Sequence, residues 1–212
     1  MDAKTEKSLA YIEAFLHPLN PHLAEVDKQY EHHEKAQPNI GVHVGGFLSW
    51  LVRMMQARRV LEFGTCLGYS TIVLAEALRE TGGRLIAVES NADFFAHAQR
   101  NVKTAGLSDI VEMIHGDAAV VIDELEGPFD LILQDSAKPL YPRLLDVCIR
   151  KIRPFGVLAA DDALFRPFGV REELAGPIHE YLERIFADPR LISTILPIGD
   201  GLAISVRVDA GR

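Results

Sequence analysis

Apolar residues in the first third of the chain recur at helical spacing. Leu9, Ile12, Ala14, Phe15 and Leu16 predict a helix over Lys4–Leu16. Asn20-Pro21 resembles an N-cap followed by a first-turn proline, opening a polar helix through Lys35. Pro38, Gly41, Gly45 and Gly46 then predict a break over Gln37–Gly46, with helical spacing resuming over Phe47–Gln56.

From Arg59 the pattern alternates. Val60–Phe63, Arg84–Glu89, Ile110–His115, Phe129–Gln134 and Val157–Ala160 are short apolar runs that read as strands. Between them, Thr71–Arg79, Asn91–Ala105 (capped by Asn91, ended by Gly106) and Leu140–Ile152 read as helices. Strands separated by helices imply βαβ units and a parallel sheet. Leu191–Leu196 and Leu202–Val208 are also strand-like, but only Pro197–Gly201 joins them. So short a link cannot make a parallel crossover, so this pair is expected to be an antiparallel hairpin. The expected fold is an α/β doubly wound sheet ending in a hairpin. One unit is expected over 1–212, with a helical cap region at 1–57 and the core at 58–212.

Composition narrows the classes. A chain of 212 residues, 48% hydrophobic, can bury a substantial core. The net charge of −8, with scattered Lys and Arg, argues against a protein devoted to gripping nucleic acid. Cys66 and Cys148 are too few and too far apart for a disulfide framework or zinc site, which suits a reducing, cytoplasmic setting. Met1–Leu16 lacks a signal peptide's apolar run, and no stretch approaches the roughly 18 apolar residues that span a bilayer. No membrane partner is expected.

The strand ends carry the candidate chemistry, because parallel sheets bind ligands beyond the carboxyl ends of their strands. Gly64 and Gly68 follow the first strand in a G-x-x-x-G spacing that allows a tight turn and close ligand approach. The spacing differs from G-x-G-x-x-G, and no G-K-[ST] follows, which counts against an NAD-dependent oxidoreductase and against a P-loop. Glu89 ends the second strand, where a carboxylate accepts hydrogen bonds from ribose hydroxyls. Gly116-Asp117-Ala118 ends the third, placed to meet an adenine edge. Singly, each reads as a turn glycine or a solvated helix-start acid; together at consecutive strand ends they point to a nucleoside site.

Asp135-Ser136-Ala137-Lys138 and Asp161-Asp162 follow the fourth and fifth strands. If those strands are neighbours, three carboxylates converge and repel one another, and an oxygen-preferring divalent cation, Mg²⁺ foremost with Ca²⁺ or Mn²⁺ as alternatives, resolves the repulsion. Lys138 beside such a cation would have a lowered pKa and could act as general base. His32-His33 reads as a solvated helix face, Trp50 as core or dimer contact, and Phe165–Gly169 as a loop bordering an acceptor pocket or simply packed.

These residues, in VLEFGTCLGYS, AVES, AGL, GDA, FDLILQDSAK, RPFGVLAADDALF and LPIGDGL, resemble the cation-dependent O-methyltransferases related to caffeoyl-CoA and catechol O-methyltransferases, from about Pro38 to Val208. The resemblance implies a Rossmann-like class I methyltransferase with a seven-stranded, mostly parallel sheet, S-adenosylmethionine as donor, and a homodimer. It implies that Ile40, Glu62, Gly64, Thr65, Ser70, Glu89 and Ala118 line the donor pocket, with Gly68, Asp117 and Asp135 beside them. Asp135, Asp161 and Asp162 would hold the metal, and Lys138, with Asp135, would carry the catalysis.

Two positions depart from the family pattern. Asp162 stands where Asn is usual, and Ala137 where an acid is usual. The expected reaction is methylation of a hydroxyl on a small molecule, a vicinal dihydroxy aromatic. The rivals are a methyltransferase for hydroxyuridine in transfer RNA, and a donor-binding protein that has lost catalysis, for which Ala137 is the best argument.

Overall fold

The computed structural model describes residues 3–17 and 19–208. The seven strands form one sheet in the order β3-β2-β1-β4-β5-β7-β6. They are β1 (Arg59–Phe63), β2 (Arg84–Glu89), β3 (Val111–His115), β4 (Phe129–Gln134), β5 (Ile152–Ala160), β6 (Leu191–Leu196) and β7 (Leu202–Arg207). The first five run parallel. As expected, β6 and β7 form an antiparallel hairpin; β7 inserts between β5 and β6, so β5 and β7 also pair antiparallel.

Alternation along the strands gives each face its own core. Val60, Leu85, Leu131, Leu133, Val157 and Ala159 point into one apolar cluster, beneath α3 (Gly41–Met54), α4 (Tyr69–Thr81) and α5 (Ala92–Thr104). Leu61, Phe63, Ile132, Leu158 and Ala160 point into the other, beneath α6 (Ala118–Glu124), α7 (Leu140–Lys151) and α8 (Glu172–Ala187). This period of two, with apolar residues on both faces, is what a sheet covered by helices on both sides requires. Truncating a fully buried residue such as Leu131 to Ala would cost about 2–5 kcal/mol.

The helical prefix differs from expectation in its boundaries. The first helix, α1, covers Ala3–Glu13, and α2 covers Leu23–His32, ending before Lys35. His22, not Asn20, is the N-cap of α2; Asn20 accepts the His22 N–H at 2.9 Å just outside it. The break expected over 37–46 is shorter, because α3 begins at Gly41. Gly45 lies on the α3 face against α4, where a Cβ would already touch Val73 at 3.5 Å, so it serves helix packing rather than a turn.

Two helices were not anticipated. The seven residues of α6 are too few for a clear period. In α8, Gly176-Pro177 resembles a breaker, but Ala175, Ile178, Tyr181 and Ile185 bury a continuous stripe and packing outweighs the lost backbone bond. Among the described residues, no helix is long and apolar enough to cross a membrane.

Candidate active site

The five parallel strands end on one edge, and backbone hydrogen bonds extend the ladder one step into the loops. Gly116 N–H donates to Glu89 O (2.9 Å), Gly64 N–H to Val88 O (3.0 Å), Asp135 N–H to Phe63 O (2.9 Å) and Asp161 N–H to Gln134 O (3.2 Å). The strand order reverses between β1 and β4, which opens a crevice there. On one side lie the loops after β1, β2 and β3; on the other lie the aspartates after β4 and β5.

The β1 turn is shaped for close approach. Gly64 has φ +92°, and a Cβ on it would lie 1.9 Å from Asp135 O, so no side chain fits between the two loops. Gly68, at φ +96°, caps α4. Glu89 braces this turn: one oxygen accepts Cys66 N–H and the other Asn91 N–H, both at 2.8 Å. Tyr30 of α2 accepts Leu67 N–H through its hydroxyl at 3.1 Å, and Asn101 of α5 donates to Leu67 O at 2.9 Å. Sequence reasoning missed Tyr30 and Asn101, since both read as ordinary helix positions.

Ile40 is the buried N-cap of α3, and Thr65 and Ser70 are buried in and after the turn. Glu62 is wholly buried on β1, with one oxygen accepting the Thr71 hydroxyl at 2.5 Å and the other, Oε1, unpartnered. Burial pushes its carboxyl up to about 7, against the restraining hydrogen bonds from Ser70 and Thr71. Asp117 is the N-cap of α6 and accepts Ala119 N–H at 2.8 Å, so its carboxylate is engaged in capping; Ala118 is buried beside it.

Across the crevice the carboxylates are less settled. Asp161 Oδ1 is buried and accepts no hydrogen bond. Its pKa is well above the ordinary range, through burial first and then through Asp135 and Asp162. Burial likewise raises Asp135 to about 7, with Lys138 pulling it down and Asp162 pushing it up. Asp162 adopts φ +68°, a left-handed conformation that short polar side chains tolerate, and burial raises its pKa too. The turn at Gly201 seats this loop, because Ala163 N–H donates to Gly201 O at 2.8 Å.

Lys138 sits between these acids, paired with Asp162 and 3.5 Å from Asp135. Its pKa is raised, not lowered: burial works against the charge, but Asp135 and Asp162 outweigh it. Tyr141, wholly buried in the first turn of α7, places its hydroxyl 3.3 Å from Lys138 Nζ, and the Phe165 ring centre lies 5.7 Å away. Phe165 therefore lies beside the Lys138 ammonium; Tyr141 was not singled out in the sequence, although its i+3 spacing from Lys138 is visible there.

The model of a family described as O-methyltransferase matches residues 14–208. The chain belongs to the O-methyltransferase family. Among related members, a catechol O-methyltransferase of Niastella koreensis is 38% identical over 137 residues, 62% of this chain and 62% of that enzyme. The flavonoid 3',5'-methyltransferase of Vitis vinifera is 29% identical over 80% of this chain and 79% of its own. A solved Bacillus cereus O-methyltransferase in complex with SAH superposes with a TM-score of 0.82, at 28% identity, over 93% of this chain and 96% of that one. The resemblance and the fold expected from the strand-end motifs are therefore correct.

In this O-methyltransferase the aspartates fit a divalent cation. They offer only oxygens, one of them buried and unpartnered, and their mutual repulsion is countered in part by Lys138. Their oxygens do not already converge on a point; among the described residues, the set of three whose ligand atoms all lie within 4.8 Å of one another is His33, Asp93 and His97.

Proposed function

We propose that this chain transfers the methyl group of S-adenosylmethionine to a hydroxyl of a small molecule, with a vicinal dihydroxy aromatic as the acceptor class and a divalent cation, Mg²⁺ foremost, at Asp135, Asp161 and Asp162. One observation carries the reading. The braced glycine turn after β1 and the under-satisfied aspartates after β4 and β5 face each other across the one crevice where the strand order reverses. The SAH-bound relative and the catechol-specific one support donor and acceptor respectively.

The chain's own groups have distinct tasks. The Gly64–Gly68 turn lets the donor lie against backbone, and Glu89 accepts from its ribose hydroxyls. The spare Oε1 of Glu62 suits the donor's ammonium group, which would supply the partner this buried oxygen lacks. A bound cation would act as a Lewis acid that eases loss of the acceptor's hydroxyl proton. Lys138 Nζ takes that proton. With Asp135 and Asp162 engaged by a cation, the ammonium would lose what keeps it charged; burial would then favour release of its proton to solvent, leaving the neutral amine as base. Tyr141 and Phe165 keep Nζ in place and exclude water. Alignment of oxygen, methyl and sulfur in line does the rest. The exposed Trp50 and Met54 of α3 offer a face for the expected homodimer.

The deciding experiment is methyl transfer from labelled donor to a panel of vicinal dihydroxy aromatics, with Mg²⁺ and then with excess chelator. Chelator-sensitive product is expected. Donor binding without transfer to any member would overturn the acceptor assignment and favour an RNA substrate or a non-catalytic role.

A further inference from the structure

Away from the sheet edge, α2 and α5 bring a second polar set together. Asp93 and His97 lie one turn apart on α5, and His33 is the C-cap of α2. Nε2 of His33 is 3.2 Å from Oδ2 of Asp93, and Nε2 of His97 is 3.9 Å from Oδ1. The two imidazoles meet edge to face at 5.5 Å, and Phe94 packs on His33 at 5.2 Å. The expectation of a solvated face at His32-His33 fails for His33, whose side chain is only 19% exposed.

We propose that His33, Asp93 and His97 bind a divalent transition ion of the Zn²⁺ type, clipping α2 to α5. The inference rests on this ligand geometry and not on the methyl-transfer reading. Two imidazoles and one carboxylate favour zinc-like ions, whereas Mg²⁺ prefers oxygen alone. Tetrahedral zinc with bonds of about 2.0 Å sets its ligand atoms about 3.3 Å apart. The His33–Asp93 pair is already at that spacing, His97 lies on the other oxygen of the same carboxylate, and one ligand atom from each of the three residues lies within 4.8 Å of the other two, so side-chain rotation alone would close the set. Asp93 is 67% exposed, so water can complete the shell. Asp93 and His97 have the ordinary i,i+4 spacing of a helix pair; what completes a three-ligand set is His33, brought to the same carboxylate from α2.

One feature limits the affinity. Nδ1 of His33 is buried without a partner, so the outer hydrogen bond that orients most metal-bound histidines is missing, a loss of about ten- to a hundredfold. The site is therefore an exchangeable one. Its position gives it a consequence, because α2 also carries Tyr30, which holds the turn at Leu67. An ion at His33 would stiffen that support.

The test is calorimetric titration of the 212-residue chain with Zn²⁺ in excess Mg²⁺, using wild type, His97→Ala, His33→Gln and Asp161→Asn. We expect one zinc per chain in wild type and in Asp161→Asn, with affinity about tenfold or more weaker in either histidine variant. Zinc should also slow amide exchange across 23–32 in wild type but not in the histidine variants. Equal zinc affinity in wild type and both histidine variants, or loss of zinc binding in Asp161→Asn alone, would overturn the assignment.

Discussion

Glu89 and Asp161 each follow or end a parallel strand on the same edge, and they are equally hidden, at 7% and 6% exposure. Both oxygens of Glu89 accept backbone N–H groups at 2.8 Å. Asp161 has an oxygen with no partner, and burial beside Asp135 and Asp162 drives its pKa far up. The Glu89 side of the crevice is thus largely satisfied within the protein, with Oε1 of Glu62 and the Thr65 hydroxyl the exceptions. The acid side is left incomplete, and charge brought by a ligand would stabilise it. The first arrangement is in place before any ligand arrives; the second leaves buried acids that a cation would stabilise.

The sharpest way to break this contrast is Asp161→Ala. Methyl transfer should fall by about a thousandfold or more, the several kcal/mol supplied by Lewis-acid assistance. The folded state, freed of an unsatisfied buried carboxylate, should gain about 1–3 kcal/mol in chemical denaturation. Unchanged activity in the presence of chelator would remove the metal from the scheme.

Lys138→Ala should lower turnover by about 10²–10⁴ while the donor dissociation constant, measured by calorimetry, stays within about twofold. A comparable loss of donor binding would mean that Lys138 organises the pocket instead of moving a proton. Glu89→Ala tests the opposite side. Removing an acceptor of two backbone bonds should cost about 3 kcal/mol of stability and most donor affinity, the reverse of the stabilisation expected at Asp161. Near-wild-type melting would show that the brace is dispensable.

The smallest effect is expected at Glu62. Its carboxyl is pushed up to about 7 in the folded chain, above its ordinary 4.5. The folded state therefore holds a proton that the unfolded chain has released between those values. Stability is full below the unfolded pKa and declines as pH rises through the folded one. Glu62→Gln should remove this decline, with a gain on the order of 2 kcal/mol at pH 8 relative to wild type. Parallel pH profiles for the two proteins would show that Glu62 titrates normally.

Much of this was legible before any coordinates. The runs VLEF, RLIAVE and FDLILQ became strands almost residue for residue, because apolar runs bounded by glycine and acids have few other solutions. The glycine spacing after β1 and the acids after β4 and β5 singled out the loops that the sheet brings to the two sides of one crevice. The break expected over 37–46 ends already at Gly41, because glycine's intrinsic freedom was outweighed by packing of α3 on α4. His33 was misjudged for a related reason: a helix end looks solvated until its partner, sixty residues away on α5, is in place.

The amino-acid sequence by itself determined the strands and most of the helices, the α/β class, the terminal hairpin and the chemical types at the strand ends. These depend on periodicity and on spacing within a few residues. Only the tertiary structure decided that β4 lies beside β1, that β7 inserts between β5 and β6, and that Tyr30, Asn101 and Tyr141 serve the site. It also decided which carboxylates are satisfied and which are not. Those outcomes follow from burial and from contacts between distant segments, and a residue's charge, partner and solvent access exist only once the sheet has closed around it.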